Sequence, residues 1–335
     1  MTDSIDINKG EGLAVFYKDK IVLLDENDDI FLIRGKKNDM YVDHYQRDKE
    51  TSHKIIHEDY NQDFDAAYDY LGNKVIVYKN TENQLLLTSL KNEEEDSIIV
   101  GELENNIYYL NIIVNDLINI FYVEESSRRN MLNIVHIVIE GDKVIRNVID
   151  STENDEIIKP IQIREFEGKL FVFYYFRNII CLKMFNQKNR EWEKSITLTD
   201  NRDKLYLDMK IISDEIHLVY SINKDNQFFI NYEVFSMGED YLIKNREIKI
   251  SGIGNHTDPL LIRQKGMLYI VWKDTNKLYS CASDDDGHTW GKLREFPKVK
   301  RLDVVKYKYL NKSNLQIVDI DYTYGSTDPI KFIGF

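Results

Sequence analysis

Three cationic side chains hold equivalent places in the sequence, and together they form a candidate site for an anionic ligand. Arg164 and Lys210 each lie ten residues before an aromatic residue that ends a short apolar segment, and Arg263 lies nine residues before another. Their contexts are Ile-Gln-Ile-Arg164, Leu-Asp-Met-Lys210 and Leu-Leu-Ile-Arg263. Guanidinium and ammonium groups form strong charge-assisted hydrogen bonds with anions. We expect these residues to bind a ligand; the alternative is that they pair with nearby carboxylates such as Glu165, Asp208 and Asp258, or reach solvent.

A second group of candidates lies between residues 53 and 65, where histidines and carboxylates follow each other closely. Asp59, Asp63 and Asp65 are weak candidates for catalysis, because pairs of carboxylates cleave glycosidic bonds in most glycosidases. His53 and His57 have the i, i+4 spacing of a metal site, but only if the segment is a helix. No third ligand follows at a recognisable spacing, which favours a solvated acidic loop between two repeats. We predict no metal site and no cofactor.

The most specific motif is the segment from Ser283 to Trp290, which has the pattern S-x-D-x-G-x-T-W at every fixed position. The Asp285 carboxylate can accept backbone N–H groups of a turn, and Gly287 permits a positive φ. The hydroxyls of Ser283 and Thr289 can join the two sides of the turn, while Trp290 can pack on a neighbouring unit. Because turn chemistry explains each fixed residue, we predict a structural role for this motif rather than catalysis or Ca²⁺ binding.

The elements that must hold these residues are short strands that recur along the chain. Alternation of apolar and polar residues with a period of two is widespread, and long helical periodicity is scarce. A turn residue followed six positions later by an aromatic residue occurs in five segments: Gly72–Tyr78, Asp116–Tyr122, Gly168–Tyr174, Asp214–Tyr220 and Gly266–Trp272. Two degenerate copies, residues 18–24 and 313–319, fit the same frame. Successive copies lie 44 to 54 residues apart.

A period near fifty residues in an all-β chain is typical of a propeller with four short strands in each blade. Seven copies in 335 residues predict an all-β, seven-bladed β-propeller of four-stranded antiparallel blades, with a six-bladed ring as the alternative. The last copy offers only three strands. We therefore expect an N-terminal strand at about residues 2–8, ahead of the first blade's inner strand at residues 12–17, to complete the last blade and close the ring. The whole chain, 1–335, is expected to be a single propeller domain.

The Ser283–Trp290 motif matches the Asp box, and through it the chain resembles the sialidase-like (BNR-repeat) β-propeller superfamily as a divergent member. The resemblance implies that the motif lies between the third and outer strands of a blade. For an active sialidase it also implies three arginines that hold the substrate carboxylate, a Tyr–Glu nucleophile pair, an Asp acid/base and an F/Y-R-I-P motif. The nearest segment to that last motif, Phe31-Leu-Ile-Arg34, lacks the proline. Sialidase activity is therefore not favoured.

Charge and composition limit the partners and the compartment. The chain has 57 acidic and 44 basic residues and a net charge of −13, which argues against nucleic acids and anionic membranes as partners. A hydrophobic content of 43% is enough for a large core and excludes a disordered chain. Cys181 and Cys281 lack a CxxC partner and are predicted to be free thiols. Since neither a signal peptide nor an apolar span is evident, we expect a cytoplasmic protein, or a secreted one if the N-terminus was trimmed.

These observations predict a non-catalytic propeller that binds a glycan or protein partner, including an anionic one, through the loops that face its centre. The alternative is a divergent sialidase-like glycoside hydrolase that acts on an anionic sugar. In that alternative Asp59, Asp63 and Asp65 are the first catalytic candidates, and Arg164 and Arg263 hold the substrate. The sequence indicates no particular oligomeric state.

Overall fold

The computed structural model describes residues 20–335 apart from 28, 37, 47–48, 92–93, 129, 154–158, 201, 239–241, 276, 297–303, 313–317, 320, 328–329 and 333–335. The predicted N-terminal strand at residues 2–8 and the predicted inner strand at residues 12–17 lie outside the described residues. Within the described part of the chain the regular elements are all strands, and none is a helix that could cross a membrane.

Five sheets follow one another along the chain, and in each the first strand begins a run of consecutive antiparallel hairpins. The first has β5 (Tyr60–Tyr68), β6 (Lys74–Asn80), β7 (Gln84–Lys91) and β8 (Glu94–Glu102). The second has β9 (Ile107–Val114), β10 (Ile118–Glu125), β11 (Met131–Glu140) and β12 (Lys143–Glu153). The third has β13 (Ile161–Phe166), β14 (Lys169–Phe176), β15 (Ile179–Asn186), β16 (Glu191–Trp192) and β17 (Ile196–Thr197).

The fourth sheet has β18 (Lys204–Ile212), β19 (Glu215–Lys224), β20 (Gln227–Met237) and β21 (Leu242–Lys249). The fifth has β22 (His256–Gln264), β23 (Met267–Asp274), β24 (Lys277–Ser283) and β25 (Arg294–Glu295), and the short β27 (Val318–Asp319) adds to its first strand. All five copies of the sequence repeat therefore lie on the second strand of a sheet. The same sequence pattern recurs because each of these sheets needs a tight turn followed by a buried apolar strand at this position.

The sixth sheet joins the two ends of the described chain. Its strands are β1 (Lys20–Leu24), β2 (Ile30–Lys36), β3 (Asp39–Gln46), β4 (Lys49–His57), β26 (Val304–Asn311), β28 (Tyr322–Thr327) and β29 (Ile330–Phe332). Their order is β29-β28-β26-β1-β2-β3-β4, and β1 pairs with β26 in parallel. The N-terminal part of the chain thus completes the last blade through β1.

The described strands form six sheets, so the ring is a six-bladed β-propeller and the predicted seven-bladed ring is wrong. The first and last copies of the repeat were counted as two blades, but β1 lies in the sixth sheet and β27 adds to the fifth, so neither copy marks a seventh sheet. Residues 53–57, predicted as a loop, belong to the outer strand β4. With β2, β3 and β4 outside it, β1 takes the inner place that residues 12–17 were predicted to fill.

Apolar clusters between successive sheets form the core and show that the ring is closed. Separate clusters link the sheet of β1–β4 to that of β5–β8, and so on through each neighbouring pair. A smaller cluster, in which Val304 and Tyr324 pack on Leu260 and Ile262, joins the fifth sheet to the C-terminal strands. Burial of both faces of every sheet is what stabilises this radial arrangement.

Tight turns with left-handed backbone separate the inner and second strands. Lys265 and Gly266 have φ values of 50° and 76°, and Glu167 and Gly168 have 49° and 73°. Two consecutive residues with positive φ match the right-handed twist of the flanking strands. These turns define where each inner strand ends and so place Arg164 and Arg263 near one end of their strands.

Candidate functional site

Arg164 and Lys210, two of the three predicted ligand residues, meet at the centre of the ring. Arg164 lies on β13 and Lys210 on β18, the inner strands of neighbouring sheets. The Asp321 carboxylate joins them, with its Oδ2 atom 3.3 Å from Nε of Arg164 and 3.2 Å from Nζ of Lys210. Nη2 of Arg164 also lies 3.2 Å from Oδ1 of the buried Asp208. The structure therefore brings two cations from adjacent blades onto one carboxylate of the C-terminal segment.

Tyr322, next to Asp321, is surrounded by cations. Nζ of Lys159 donates a hydrogen bond to the Tyr322 hydroxyl at 2.8 Å and lies 5.1 Å from the ring centroid. Nζ of Lys306 lies 4.6 Å from the same centroid, and the guanidinium carbon of Arg164 lies 5.9 Å from it. These distances are those of cation–π contacts. Residues 321 and 322 thus place a carboxylate and an aromatic ring among four cationic side chains.

The opposite side of the centre is held by Lys308 and Asp65. Nζ of Lys308 lies 2.7 Å from Oδ2 of Asp65 and donates to the carbonyl oxygen of Ala66 at 3.0 Å. The same Asp65 oxygen accepts the backbone N–H of Ile112 at 2.8 Å, on the inner strand of the next sheet. We call the residues at the centre, Asp65, Lys159, Arg164, Asp208, Lys210, Lys306, Lys308, Asp321 and Tyr322, the central cluster.

Electrostatics of the central cluster favour negative charge. Burial opposes ionisation of Asp321, but the charges of Arg164 and Lys210 outweigh it and lower its pKa to about 2. Burial, together with the charges of Arg164 and Lys308, lowers the pKa of Lys159 to about 8. Five cationic side chains face three carboxylates in the described part of the cluster. Within the described residues, the centre of this acidic protein therefore carries a local excess of cations.

The carboxylates predicted as weak catalytic candidates lie in different settings. Asp59 is exposed in the turn before β5, whereas Asp63 and Asp65 are buried on that strand. Oδ2 of Asp63 accepts the backbone N–H of Leu110 at 2.9 Å, in the same way as Asp65 accepts that of Ile112. Asp208 repeats this arrangement with the N–H of Leu261 at 2.8 Å. Carboxylates on inner strands therefore link the first sheet to the second and the fourth to the fifth through backbone amides.

Arg263, the third predicted ligand residue, has a different partner. Its Nη2 atom lies 3.7 Å from Oδ1 of Asp286, in the turn between β24 and β25, and its side chain is 37% exposed. Arg263 pairs through its backbone with Asp319 of β27. The three predicted cations thus divide into a buried pair that contacts Asp321 and one arginine that faces the Ser283–Trp290 turn.

The Ser283–Trp290 turn is held by its own side chains. Oδ1 of Asp285 accepts the hydroxyl of Ser283 at 2.7 Å and the backbone N–H of Thr289 at 2.8 Å, and Oδ2 accepts the Thr289 hydroxyl at 2.7 Å. These hydrogen bonds hold the pKa of Asp285 well below its usual range. Trp290 meets Tyr232 of the fourth sheet edge to face, with ring centroids 5.1 Å apart. The carboxylate is thus engaged within the turn.

His53 and His57 lie on β4 and have separate partners. Nδ1 of His53 contacts Oδ1 of the buried Asp43, and Nδ1 of His57 accepts from the Tyr78 hydroxyl at 2.9 Å. A strand does not give the i, i+4 pair the geometry of a helical metal site. No group of three metal-ligating side chains occurs among the described residues. Cys181 and Cys281, predicted to be free thiols, are both buried and unpaired.

Sequence reasoning missed Lys159, Lys308, Asp321 and Tyr322. Asp321 contacts Lys210 across 111 residues of sequence, and Lys308 contacts Asp65 across 243. Such pairs exist only once the ring has closed, so no local pattern marks them. The available signal was compositional: a basic stretch, residues 298–308, ends 13 residues before an Asp-Tyr pair.

Comparisons with known proteins support the fold. No family model and no curated protein matches the chain. Among solved structures it is similar to the hydrazine synthase of Kuenenia stuttgartiensis, at 12% identity and a TM-score of 0.52, over 83% of this chain and 81% of that one. It is also similar to the periplasmic gluconolactonase of Pseudomonas aeruginosa, at 8% identity and a TM-score of 0.52, over 83% and 85% of the two chains. A protein from Lactobacillus plantarum matches at 8% identity and a TM-score of 0.52, over 82% and 83%. At these identities the likeness concerns the fold alone.

Proposed function

We propose that this protein is a non-catalytic β-propeller that binds an anionic group of a glycan or protein partner at the central cluster. The observation that carries the proposal is the convergence of Arg164 and Lys210, from two blades, on a single carboxylate. Both are largely buried, and cations held by a rigid scaffold bind an anion without much further ordering. The position at the centre is also where loops from all blades can contribute contacts.

The resemblance to the sialidase-like superfamily remains part of this proposal. The self-contained hydrogen bonds of Asp285 support a structural role for the Asp box, which leaves the centre for binding. Asp63 and Asp65 each use a carboxylate oxygen to bind the next blade. A carboxylate committed to backbone amides is poorly placed to act as a nucleophile or a general acid. These contacts favour binding over the alternative, hydrolysis of an anionic sugar.

The test is a binding screen with matched variants. An array of sialylated, uronate-containing, sulfated and neutral glycans, together with acidic peptides, is probed with the wild type and with Arg164→Gln, Lys210→Gln and Arg294→Gln. Arg294 is an exposed arginine on the outer strand β25 and serves as the control. We expect anionic probes to bind the wild type and Arg294→Gln, and binding to fall at least tenfold in the other two variants.

Two outcomes would overturn the proposal. One is an array on which no anionic probe binds, and the other is anionic binding that Arg164→Gln and Lys210→Gln leave unchanged. A fluorogenic glycoside panel on the same samples tests the alternative. Turnover of an anionic glycoside by the wild type, lost in Arg164→Gln, would replace the binding function with hydrolysis.

A further inference from the structure

The central cluster already holds an anionic group that belongs to the chain itself. Asp321 precedes β28, and its carbonyl oxygen accepts the backbone N–H of Tyr309 on β26 at 2.8 Å. Its side chain is 36% exposed, whereas those of Arg164 and Lys210 are 14% and 5% exposed. The backbone of this residue is therefore fixed by strand pairing, while its carboxylate lies at the accessible side of two buried cations.

The contacts of residues 321 and 322 show what the central cluster can recognise. One carboxylate receives two cations within 3.3 Å, and the adjacent aromatic ring lies within 6 Å of Lys159, Arg164 and Lys306. A sugar can offer a carboxylate but no aromatic face, so cation–π contacts discriminate against glycans here. An acidic residue followed by tyrosine offers both groups at the spacing that the cluster accommodates.

We infer that the central cluster binds an extended acidic peptide segment of a partner, with an Asp/Glu-Tyr pair, in place of the chain's own Asp321 and Tyr322 side chains. This inference rests on the proposed function and names its ligand class. It also gives the site an internal competitor. Only molecules whose Asp321 and Tyr322 side chains have left the cations can bind the peptide. The apparent affinity of the peptide is therefore the intrinsic affinity multiplied by the fraction of such molecules, and loss of the Asp321 charge increases that fraction.

The competition predicts a gain of binding when the internal carboxylate is removed. Asp321→Asn keeps the shape of the side chain but loses the charge that holds Arg164 and Lys210. The probe is the peptide acetyl-Gly-Asp-Tyr-Gly-amide, titrated by isothermal calorimetry beside its Asn-Tyr and Asp-Leu counterparts. We expect Asp321→Asn to bind the Asp-Tyr peptide at least tenfold more tightly than the wild type does. We also expect Asp321→Asn to bind the Asn-Tyr and Asp-Leu peptides more weakly than it binds the Asp-Tyr peptide.

Matched variants isolate the effect of this one charge. Asp142→Asn makes the same change of net charge at an exposed hairpin tip and should leave peptide binding as in the wild type. The double variant Asp321→Asn/Arg164→Gln should lose the gain. Asp321→Ser, which also removes the charge, replaces Asp321→Asn if that variant does not fold, as judged by circular dichroism.

The outcomes separate the inference from the proposed function. Equal peptide affinity in the wild type and in both Asp321 variants would overturn the inference. If anionic glycans still bind in a manner that depends on Arg164, the proposed function stands with a different ligand. If the binding of neither glycans nor peptides depends on Arg164, both the inference and the proposed function fail. If Asp142→Asn increased the affinity for the Asp-Tyr peptide as much as Asp321→Asn does, the effect would be one of net charge. That result would also overturn the inference.

Discussion

Gly287 shows at the level of one residue why the Ser283–Trp290 turn tolerates little change. Its φ is +82°, and a Cβ atom added there would lie 2.0 Å from the Tyr232 hydroxyl oxygen of the neighbouring blade. Gly287→Ala therefore combines the backbone strain of a left-handed conformation with a clash between the new Cβ atom and Tyr232, whose buried ring has little room to move away. We expect it to lower the free energy of unfolding by about 2–4 kcal/mol, measured by urea titration.

Gly266→Ala is the matched control for that experiment. Gly266 has a similar φ of +76°, but nothing lies within 4 Å of an added Cβ. It should cost only the backbone strain, about 1–2 kcal/mol. Equal losses in the two variants would show that the contact with Tyr232 contributes nothing to the requirement for glycine at position 287.

Residue-level patterns in the sequence correspond to contacts in the structure where the signal is local. The Ser283–Trp290 segment adopts a turn held by Asp285, because every donor and acceptor of that turn lies within eight residues. Arg164 and Lys210 were picked out by their equal places in the repeat, and they do lie together. Asp321 could not be found in this way, since its contact with Lys210 depends on the closure of the ring.

At the level of elements, hydrogen bonds from inner-strand carboxylates link successive blades. Asp65 is 1% exposed, accepts the N–H of Ile112 on β9 and pairs with Lys308 on β26. Asp65→Ala leaves a partly buried ammonium and a buried amide without this partner. We expect it to lower the free energy of unfolding by about 3–5 kcal/mol in urea titration.

The exposed Asp59 provides the comparison for Asp65. Asp59→Ala should change the free energy of unfolding by no more than about 0.5 kcal/mol, because the side chain lies in solvent. The same pair of variants tests catalysis. If Asp59→Ala abolished turnover of any glycoside while the protein stayed folded, the structural account of these carboxylates would be incomplete and the hydrolase alternative would gain support.

The closing contact between β1 and β26 makes a separate prediction. Tyr307 of β26 is fully buried against Val22 of β1 and Leu32 of β2. Tyr307→Ala would open a cavity between the two ends of the described chain and should cost about 3–5 kcal/mol in thermal or urea unfolding. Tyr70→Ala, at a tyrosine that is 80% exposed, should be nearly neutral. A small loss in Tyr307→Ala would mean that ring closure depends on other contacts.

The strands themselves and the closure of the last blade by an N-terminal strand were largely predictable, but the number of blades was not. The second strands β6, β10, β14, β19 and β23 coincide with the repeat because each combines a local turn with a buried apolar run. β4 was missed because residues 49–57 are mostly polar, and an exposed outer strand has no clear alternation. Without β4, the predicted strands of the first sheet were displaced by one position, and this contributed to the prediction of seven blades instead of six.

For the whole molecule, six sheets explain why the last repeat looked incomplete. β26, β28 and β29 do not form a blade of their own, because they extend the sheet of β1–β4 towards the centre. That extension carries Lys308, Asp321 and Tyr322 into the central cluster. Ring closure and the construction of the candidate site are therefore the same structural event, and a variant that loosens one is expected to disturb the other.

Buried histidines make the stability of the whole ring depend on pH. Burial lowers the pKa of His136 to about 3 and that of His217 to about 4, and it lowers the pKa values of His57 and His256. Between about pH 6.5 and these values the unfolded chain binds protons that the folded chain excludes. The free energy of unfolding should therefore decrease as the pH falls below about 6.5.

Carboxylates modify this dependence in both directions. Asp321 and Glu247, whose folded pKa values are about 2, stop contributing stability as the pH falls below about 4. Glu233 acts in the opposite sense, because burial raises its pKa and protonation on acidification relieves a buried charge. Between pH 6.5 and 5 the histidines should dominate, since the unfolded carboxylates are still ionised there.

The measurement is urea unfolding at pH 7.5, 6.0 and 5.0 for the wild type and two variants. His136 is buried between the rings of Phe121, Phe185 and Trp192, and its Nε2 atom lies 3.1 Å from Oδ1 of Asn119. His136→Gln removes one excluded proton, so its stability should fall less steeply with pH than that of the wild type, whatever its absolute value. Gln227→Ala, at an exposed side chain that carries no charge, should keep the wild-type slope. An unchanged slope in His136→Gln would show that this histidine is protonated in the folded ring, because solvent or a rearranged partner reaches it despite the aromatic packing.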